Sequence, residues 1–170
     1  MSRTSHPSAT DTRTRLLDAA LRLVRERGFA ATSVADLCAA AGATKGAFFH
    51  HFASKEALGI AAAHHWGETT GALFAGAPYH QLGDPLERVL AYIAMRRAML
   101  EGELAEFTCF AGTTVQEVYA AHPEIRDACG ATIDGHARTL VADIEAAMAA
   151  RPMTPDWTAE SLALHTQTVL

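Results

Sequence analysis

Apolar positions along this chain fall into runs with helical spacing, separated by breaks that carry glycine, proline or small polar residues. Leu16, Leu17, Ala20, Leu21 and Val24 recur at three- and four-residue intervals. That spacing predicts a helix over about 11–27 with one buried face. Gly28 stops it. Val34, Leu37 and Cys38 repeat the pattern in a shorter second helix. Ser33 stands at its N-cap and Asp36 follows three residues later, the capping-box spacing. Gly42 ends this helix, because glycine tolerates the left-handed conformation that follows a last turn. Thr44 caps a third helix from Lys45 to Phe52, and Ser54 caps a fourth reaching about Phe74. Between the second and third helices lies a turn of about three residues, the length found in the DNA-binding helix-turn-helix.

Beyond Phe74 the pattern loosens. Gly76 to Gly83 reads as a loop. Asp84-Pro85 reads as an N-cap followed by a first-turn proline, opening a helix to about Leu100. Glu103 to Ala121 predicts one helix, weakened by Gly112, Thr113 and Thr114. His122-Pro123 opens a long helix to about Ala150. Residues 151–155 form a second loop, and a last helix begins near Trp157. Its apolar face, with Thr166, Val169 and Leu170, runs on without a cap or a stop. No alternating strand pattern and no internal repeat occurs, so the expected fold class is all-α.

Composition agrees. Hydrophobic residues make up 49% of the 170-residue chain, and much of that is alanine, the best helix former. No apolar run is long enough to span a membrane. Met1 to Pro7 lacks the apolar core of a signal peptide. Cys38, Cys109 and Cys129 have no metal-ligand spacing, and an odd count without a secretory signal points to a reducing cytoplasm. His64, His65 and Glu68 share a helical face, but no fourth ligand accompanies them, so no metal site is expected. No local enzyme signature is present, which points away from catalysis, and no cofactor is expected.

Charge changes the picture more. The net charge is −5, which argues against a nucleic-acid partner. Its distribution reverses that. Residues 1–60 hold eight Lys/Arg against five Asp/Glu, and the remainder holds six against fourteen. A basic N-terminal third on an acidic body is the footprint of a protein with a separate DNA-reading end.

The stretch from 28 to 58 resembles the TetR family of transcriptional regulators. The resemblance lies in Gly28-Phe29, Thr32-Ser33, Ala40-Ala41-Gly42 and Thr44-Lys45-Gly46. It continues in Phe48-Phe49-His50-His51-Phe52 and Ser54-Lys55-Glu56-Ala57-Leu58. It covers roughly residues 11–60. Phe49 departs from the pattern, standing where the family usually has tyrosine. The resemblance implies a helix-turn-helix DNA-binding domain over 10–53 and a helical ligand-binding and dimerisation domain over 54–170, preceded by a polar, disordered tail over 1–9. It also implies that the last helix and one more form a dimer interface, so the chain shown is expected to be shortened at its C-terminus. The implied partners are double-stranded DNA with a near-palindromic operator, a small-molecule effector and a second copy of the chain, with no membrane.

Candidate DNA contacts follow from geometry and from this resemblance. Thr44, Lys45, Gly46 and Ala47 open the recognition helix and face the major groove. Thr32 and Ser33 sit at a helix N-terminus, where backbone N–H groups bind phosphate. Phe49, His50 and His51 lie along the exposed side, and Lys55 in the next first turn. In the acidic body, Trp66, Phe74, Tyr92, Met95, Met99, Phe107 and Phe110 are candidates for an apolar cavity, with Thr113, Thr114 and His136 as its polar groups. Each of these alone also fits an ordinary core position. Cys109 is a further candidate for the cavity wall, and reads either as a small buried hydrophobe or as a reactive thiol. The expected function is a repressor released from its operator by a small apolar or aromatic ligand. The alternative is a helical small-molecule or thiol sensor with weak or lost DNA binding.

Overall fold

The computed structural model describes residues 9–152 and 154–169. Of the expected tail over 1–9, residues 1–8 lie outside the described residues, and Ala9 already opens the first helix. All regular elements among the described residues are helical. Three come first: α1 (Ala9–Arg27), α2 (Val34–Ala41) and α3 (Lys45–His51). Their ends are built as the local signals require. The Ser33 hydroxyl accepts from the Asp36 N–H at 3.2 Å while the Asp36 carboxylate accepts from the Ser33 N–H at 3.0 Å. Gly42 closes α2 at φ 59°, ψ 39°, in the left-handed region that glycine enters without steric cost. The Thr44 hydroxyl then accepts from the Ala47 N–H at 3.1 Å and starts α3.

The body follows as α4 (Lys55–Ala75), a 3₁₀ turn (Pro78–Gln81), α5 (Pro85–Ala98), α6 (Leu104–Phe107), α7 (Phe110–Val118), α8 (Pro123–Arg138), α9 (Val141–Ala149) and α10 (Ala159–Val169). Two helices expected to be continuous are each broken. The expected 103–121 helix stops after Phe107 and restarts at Phe110, with the Cys109 sulfur accepting from the Gly112 N–H at 3.4 Å as its N-cap. In one unbroken helix Phe107 and Phe110 share a face. The break sends Phe110 into the core, fully buried, while Phe107 stays on a cavity wall. The expected helix from 122 to 150 breaks at Thr139-Leu140. There the Thr139 hydroxyl donates back to the His136 carbonyl at 2.7 Å. Bonds from Thr139 to His136 and from Leu140 to Ala137 tighten the turn, and the buried Leu140 turns into the packing beside α5 and α10.

Two hydrophobic cores result. The first joins α1, α2 and α3 to the first half of α4, to α7 and to α8, through Leu16, Leu37, Phe48, Leu58, Phe110 and Ile125 among others. The helix-turn-helix therefore has no core wholly of its own. Its apolar side chains finish packing on the body. Gly59 makes this approach possible: a Cβ there would lie 2.9 Å from the Phe29 ring and 3.0 Å from the Ile125 side chain. The second core joins the end of α4 to α5, α9 and α10 through Phe74, Tyr79, Val89, Tyr92, Ile144 and Ala163. Arg88 and Asp143 pair at 2.7 Å across α5 and α9. No helix among the described residues is long and apolar enough to cross a membrane.

Candidate nucleic-acid interface and internal cavity

The short α3 is buried on one side only. Phe48 is 0% exposed and Phe52 is buried, and both face the first core. On the other side Thr44, Lys45, Gly46, Phe49 and His50 are exposed, with Ala47 and His51 half-buried. Phe49 is 56% exposed, an unusual place for a phenyl ring. Beyond Thr44 no neighbour approaches the position of a Cβ at Gly46, so its bare backbone faces solvent. Lys45 forms no ion pair among the described residues. This face offers a helix N-terminus, a cation, two imidazoles and an aromatic edge, which together suit phosphate and base-edge contacts.

Three candidates spend polar groups within the fold. Thr32 is buried, and its hydroxyl donates to the Gly28 carbonyl at 2.7 Å. Ser33 spends its side chain on the capping box and is left with an exposed position at the start of α2. The Lys55 ammonium donates to the Phe29 carbonyl at 3.0 Å and the Thr32 carbonyl at 3.2 Å, and lies 4.4 Å above the Phe29 ring. It braces the loop between α1 and α2 instead of reaching outward. On the same loop the Glu117 carboxylate of α7 accepts from the Phe29 and Ala30 N–H groups. The body thus grips the reading unit at the loop that leads into α2. Asp36, hydrogen-bonded by Ser33 and paired with Arg27 at 3.1 Å, is held below the usual carboxylate range.

A cavity of about 120 Å³ lies in the body between α4, α5, α6, α7, α8 and α10. Of the expected lining residues, Trp66, Phe74, Met99, Phe107, Cys109 and His136 reach it. Tyr92, Met95, Phe110, Thr113 and Thr114 do not. Tyr92 and Phe110 are fully buried in the second and first cores respectively, and Met95 packs on the second. The Thr114 hydroxyl is buried with no hydrogen-bond partner among the described residues. Cys109 is exposed, so of its two readings the buried hydrophobe does not hold.

The cavity also has walls that periodicity did not single out, chiefly Arg96, Gln167, Thr70 and Thr132. A signal for Arg96 was available: it lies four residues after Tyr92 and three before Met99, on the apolar stripe of α5. No local signal existed for Gln167, whose position depends on how α10 docks. Arg96, Gln167, Tyr92 and His136 form one network. Arg96 Nη1 donates to the Tyr92 hydroxyl at 2.9 Å and to Gln167 Oε1 at 3.1 Å. The Gln167 amide also donates to the Tyr92 oxygen, leaving the Tyr92 O–H to donate to His136 Nε2 at 3.0 Å. Burial, and the nearby Arg96 charge second, push the His136 pKa down to about 4. His136 is therefore neutral at pH 7, with its proton on Nδ1.

The comparisons with known proteins agree with this architecture. Residues 16–62 match the family model of bacterial regulatory proteins of the tetR family. Residues 85–170 match the tetracyclin repressor-like C-terminal domain. The HTH-type transcriptional repressor KstR2 of Rhodococcus jostii is 48% identical over 58 residues, covering 31% of this chain and 28% of that protein. The matched segment thus spans less than a third of that relative's length. Among solved structures, a TetR transcriptional regulator from Chloroflexus aurantiacus superposes with a TM-score of 0.78 at 26% identity, covering 94% of this chain and 80% of that one. NemR of E. coli, in its reduced form, superposes with a TM-score of 0.76 at 25% identity, covering 92% and 81%.

Proposed function

The chain belongs to the TetR family of bacterial regulatory proteins, and from that premise we propose that it is a DNA-binding repressor whose affinity for its operator falls when a small molecule fills the cavity in its body. The observation that carries the reading is the one-sided burial of α3. Every large apolar group but Phe49 is turned inward, and the N-terminal turn with Lys45 is left open to a groove. A second copy of the chain supplies the other recognition helix. Two such helices about 34 Å apart, or a multiple of that, enter one face of the duplex and read a near-palindrome.

The coupling has a physical route. Arg25 of α1 lies 5.1 Å from the Trp66 ring on the cavity wall, and its guanidinium donates to the Glu106 carbonyl at 3.3 Å. Helix α7, which lines the cavity through Ala111, ends near Glu117, whose carboxylate holds the loop before α2. A ligand that shifts α6 or α7 therefore moves the base of the helix-turn-helix. By linkage, DNA then weakens ligand binding by the same factor.

Selection from a random duplex library, followed by fluorescence anisotropy at several salt concentrations, tests the reading. Retention of a near-palindromic sequence with a steep negative salt slope is expected. Replacing Lys45 by Ala is expected to lower that slope by about 0.9, one phosphate contact. Absence of any retained sequence at low salt favours the other reading, a small-molecule or thiol sensor with weak DNA binding. Two observations support that second reading: Phe49 has no hydroxyl to offer a phosphate, and Lys55 is spent internally.

A further inference from the structure

The polar groups on the cavity wall are not equally occupied. The Thr70 hydroxyl donates to the Trp66 carbonyl at 2.7 Å, and the Thr132 hydroxyl to the Ala128 carbonyl at 3.0 Å. The Glu106 carboxylate accepts from the Glu103 N–H at 2.8 Å. His136 carries no charge at neutral pH. Arg96 is different. Its guanidinium has five N–H donors, and its recorded bonds use only Nη1, to two neutral partners. It packs 5.7 Å from the Phe74 ring centre and 5.9 Å from that of Tyr92. No carboxylate pairs with it among the described residues. It is the only formally cationic side chain on the described wall, and Glu106 is the only carboxylate. A half-buried guanidinium whose Nε and Nη2 have no partner among the described residues, and which faces no counter-charge there, is placed to bind an anion that arrives with the ligand.

We propose that this cavity takes an organic anion, an aromatic or short aliphatic carboxylate whose two oxygens pair with Arg96 while its apolar part lies against Trp66, Phe74 and Phe107. This rests on the reading of the cavity as an effector site. A single planar guanidinium fork matches a carboxylate in two parallel bonds. The cavity, at about 120 Å³, is somewhat smaller than the roughly 150 Å³ that holds benzene, so it suits a short chain or a small ring seated partly at its mouth.

The test uses the protein without DNA. Benzoate, phenylacetate, cinnamate and hexanoate are titrated calorimetrically, each beside its primary amide. At least one carboxylate is expected to bind tenfold or more tightly than its amide. Arg96→Gln is expected to abolish that preference, whereas Arg96→Lys keeps part of it. If no carboxylate outbinds its amide, or if Arg96→Gln keeps the preference, the proposal is overturned. Should Arg96→Gln fail to fold, the carboxylate–amide comparison on the unaltered chain, with Arg96→Lys, decides. Neutral compounds binding as well as the acids would sink the anion and leave an effector site. Lack of DNA binding in a ligand-free gel shift would instead sink the regulator and leave the anion site standing.

Discussion

The two ends of α4 sit in opposite surroundings. At its start, Leu58, Gly59, Ala62 and Ala63 are buried against α1, α7 and α8 so closely that Gly59 has no room for a methyl group. Toward its end, Trp66, Thr70 and Phe74 border open space, walled on the far side by side chains that bond to each other across α5, α8 and α10. The same helix is thus clamped where it supports the helix-turn-helix and left unfilled where it borders the cavity. Dense packing transmits displacement, whereas a cavity accepts a new occupant. The proposed switch needs both, and one helix joins them.

The largest expected effect separates the two ends by stability. Phe48→Ala removes a fully buried ring from the clamped core and is expected to cost about 3–5 kcal/mol. Met99→Ala, on the cavity wall and 40% exposed, is expected to cost less than about 1 kcal/mol. Urea unfolding of both variants checks this, and similar midpoints would erase the contrast.

Lys55→Met sharpens it from within the clamped end. Its ammonium satisfies two loop carbonyls, so its loss is expected to lower stability by about 1–3 kcal/mol. The salt slope of DNA binding is expected to stay unchanged. A fall in slope with no loss of stability would return Lys55 to the interface.

At the open end, stability is expected to depend on pH through His136. Its pKa in the folded protein is about 4 against 6.5 for the free group, so the folded state binds fewer protons than the unfolded one between those values. The contribution is fully present above pH 6.5 and is lost as pH falls toward 4. Because the ring is only partly enclosed, a loss on the order of 1–2 kcal/mol is expected, less than the full shift implies. Denaturant unfolding at pH 7 and pH 5 is expected to show part of this loss in the unaltered chain and a smaller one in His136→Gln.

The smallest effect belongs to the exposed face. Phe49→Tyr adds one hydroxyl and is expected to strengthen DNA binding by about 0.5–1.5 kcal/mol with no change in stability. Anisotropy titration at one salt concentration suffices, and no gain would mean that the ring turns away from the phosphate backbone.

Legibility in the sequence follows the range of the interactions concerned. Ser33 with Asp36, Gly42, Thr44 and Ser54 act within four residues, so the ends of α2, α3 and α4 were readable to within a residue. The exposed face of α3 was readable for the same reason, since a seven-residue helix with Phe48 and Phe52 inward leaves little choice for the rest. The breaks at Cys109 and Thr139 were not readable. The weak helix formers Gly112, Thr113 and Thr114 lie past the first break, inside α7, and nothing local marks the second, so spacing alone did not locate either. The cavity was half readable. Trp66, Phe74, Met99, Phe107, Cys109 and His136 were placed on its wall by their chemistry, but aromatic residues serve a core equally well, as Tyr92 and Phe110 do.

The sequence alone determined the helical class, the capped helix-turn-helix and the polarity of charge between the two ends, because each depends on neighbours in the chain. Tertiary structure decided what Lys55 and Thr32 do, which side chains border the cavity, and that Arg96 stands there without a counter-charge among the described residues. Those outcomes rest on contacts between residues as far apart as Arg96 and Gln167 or Phe29 and Glu117. Docking of whole helices creates such contacts, and no local spacing encodes them.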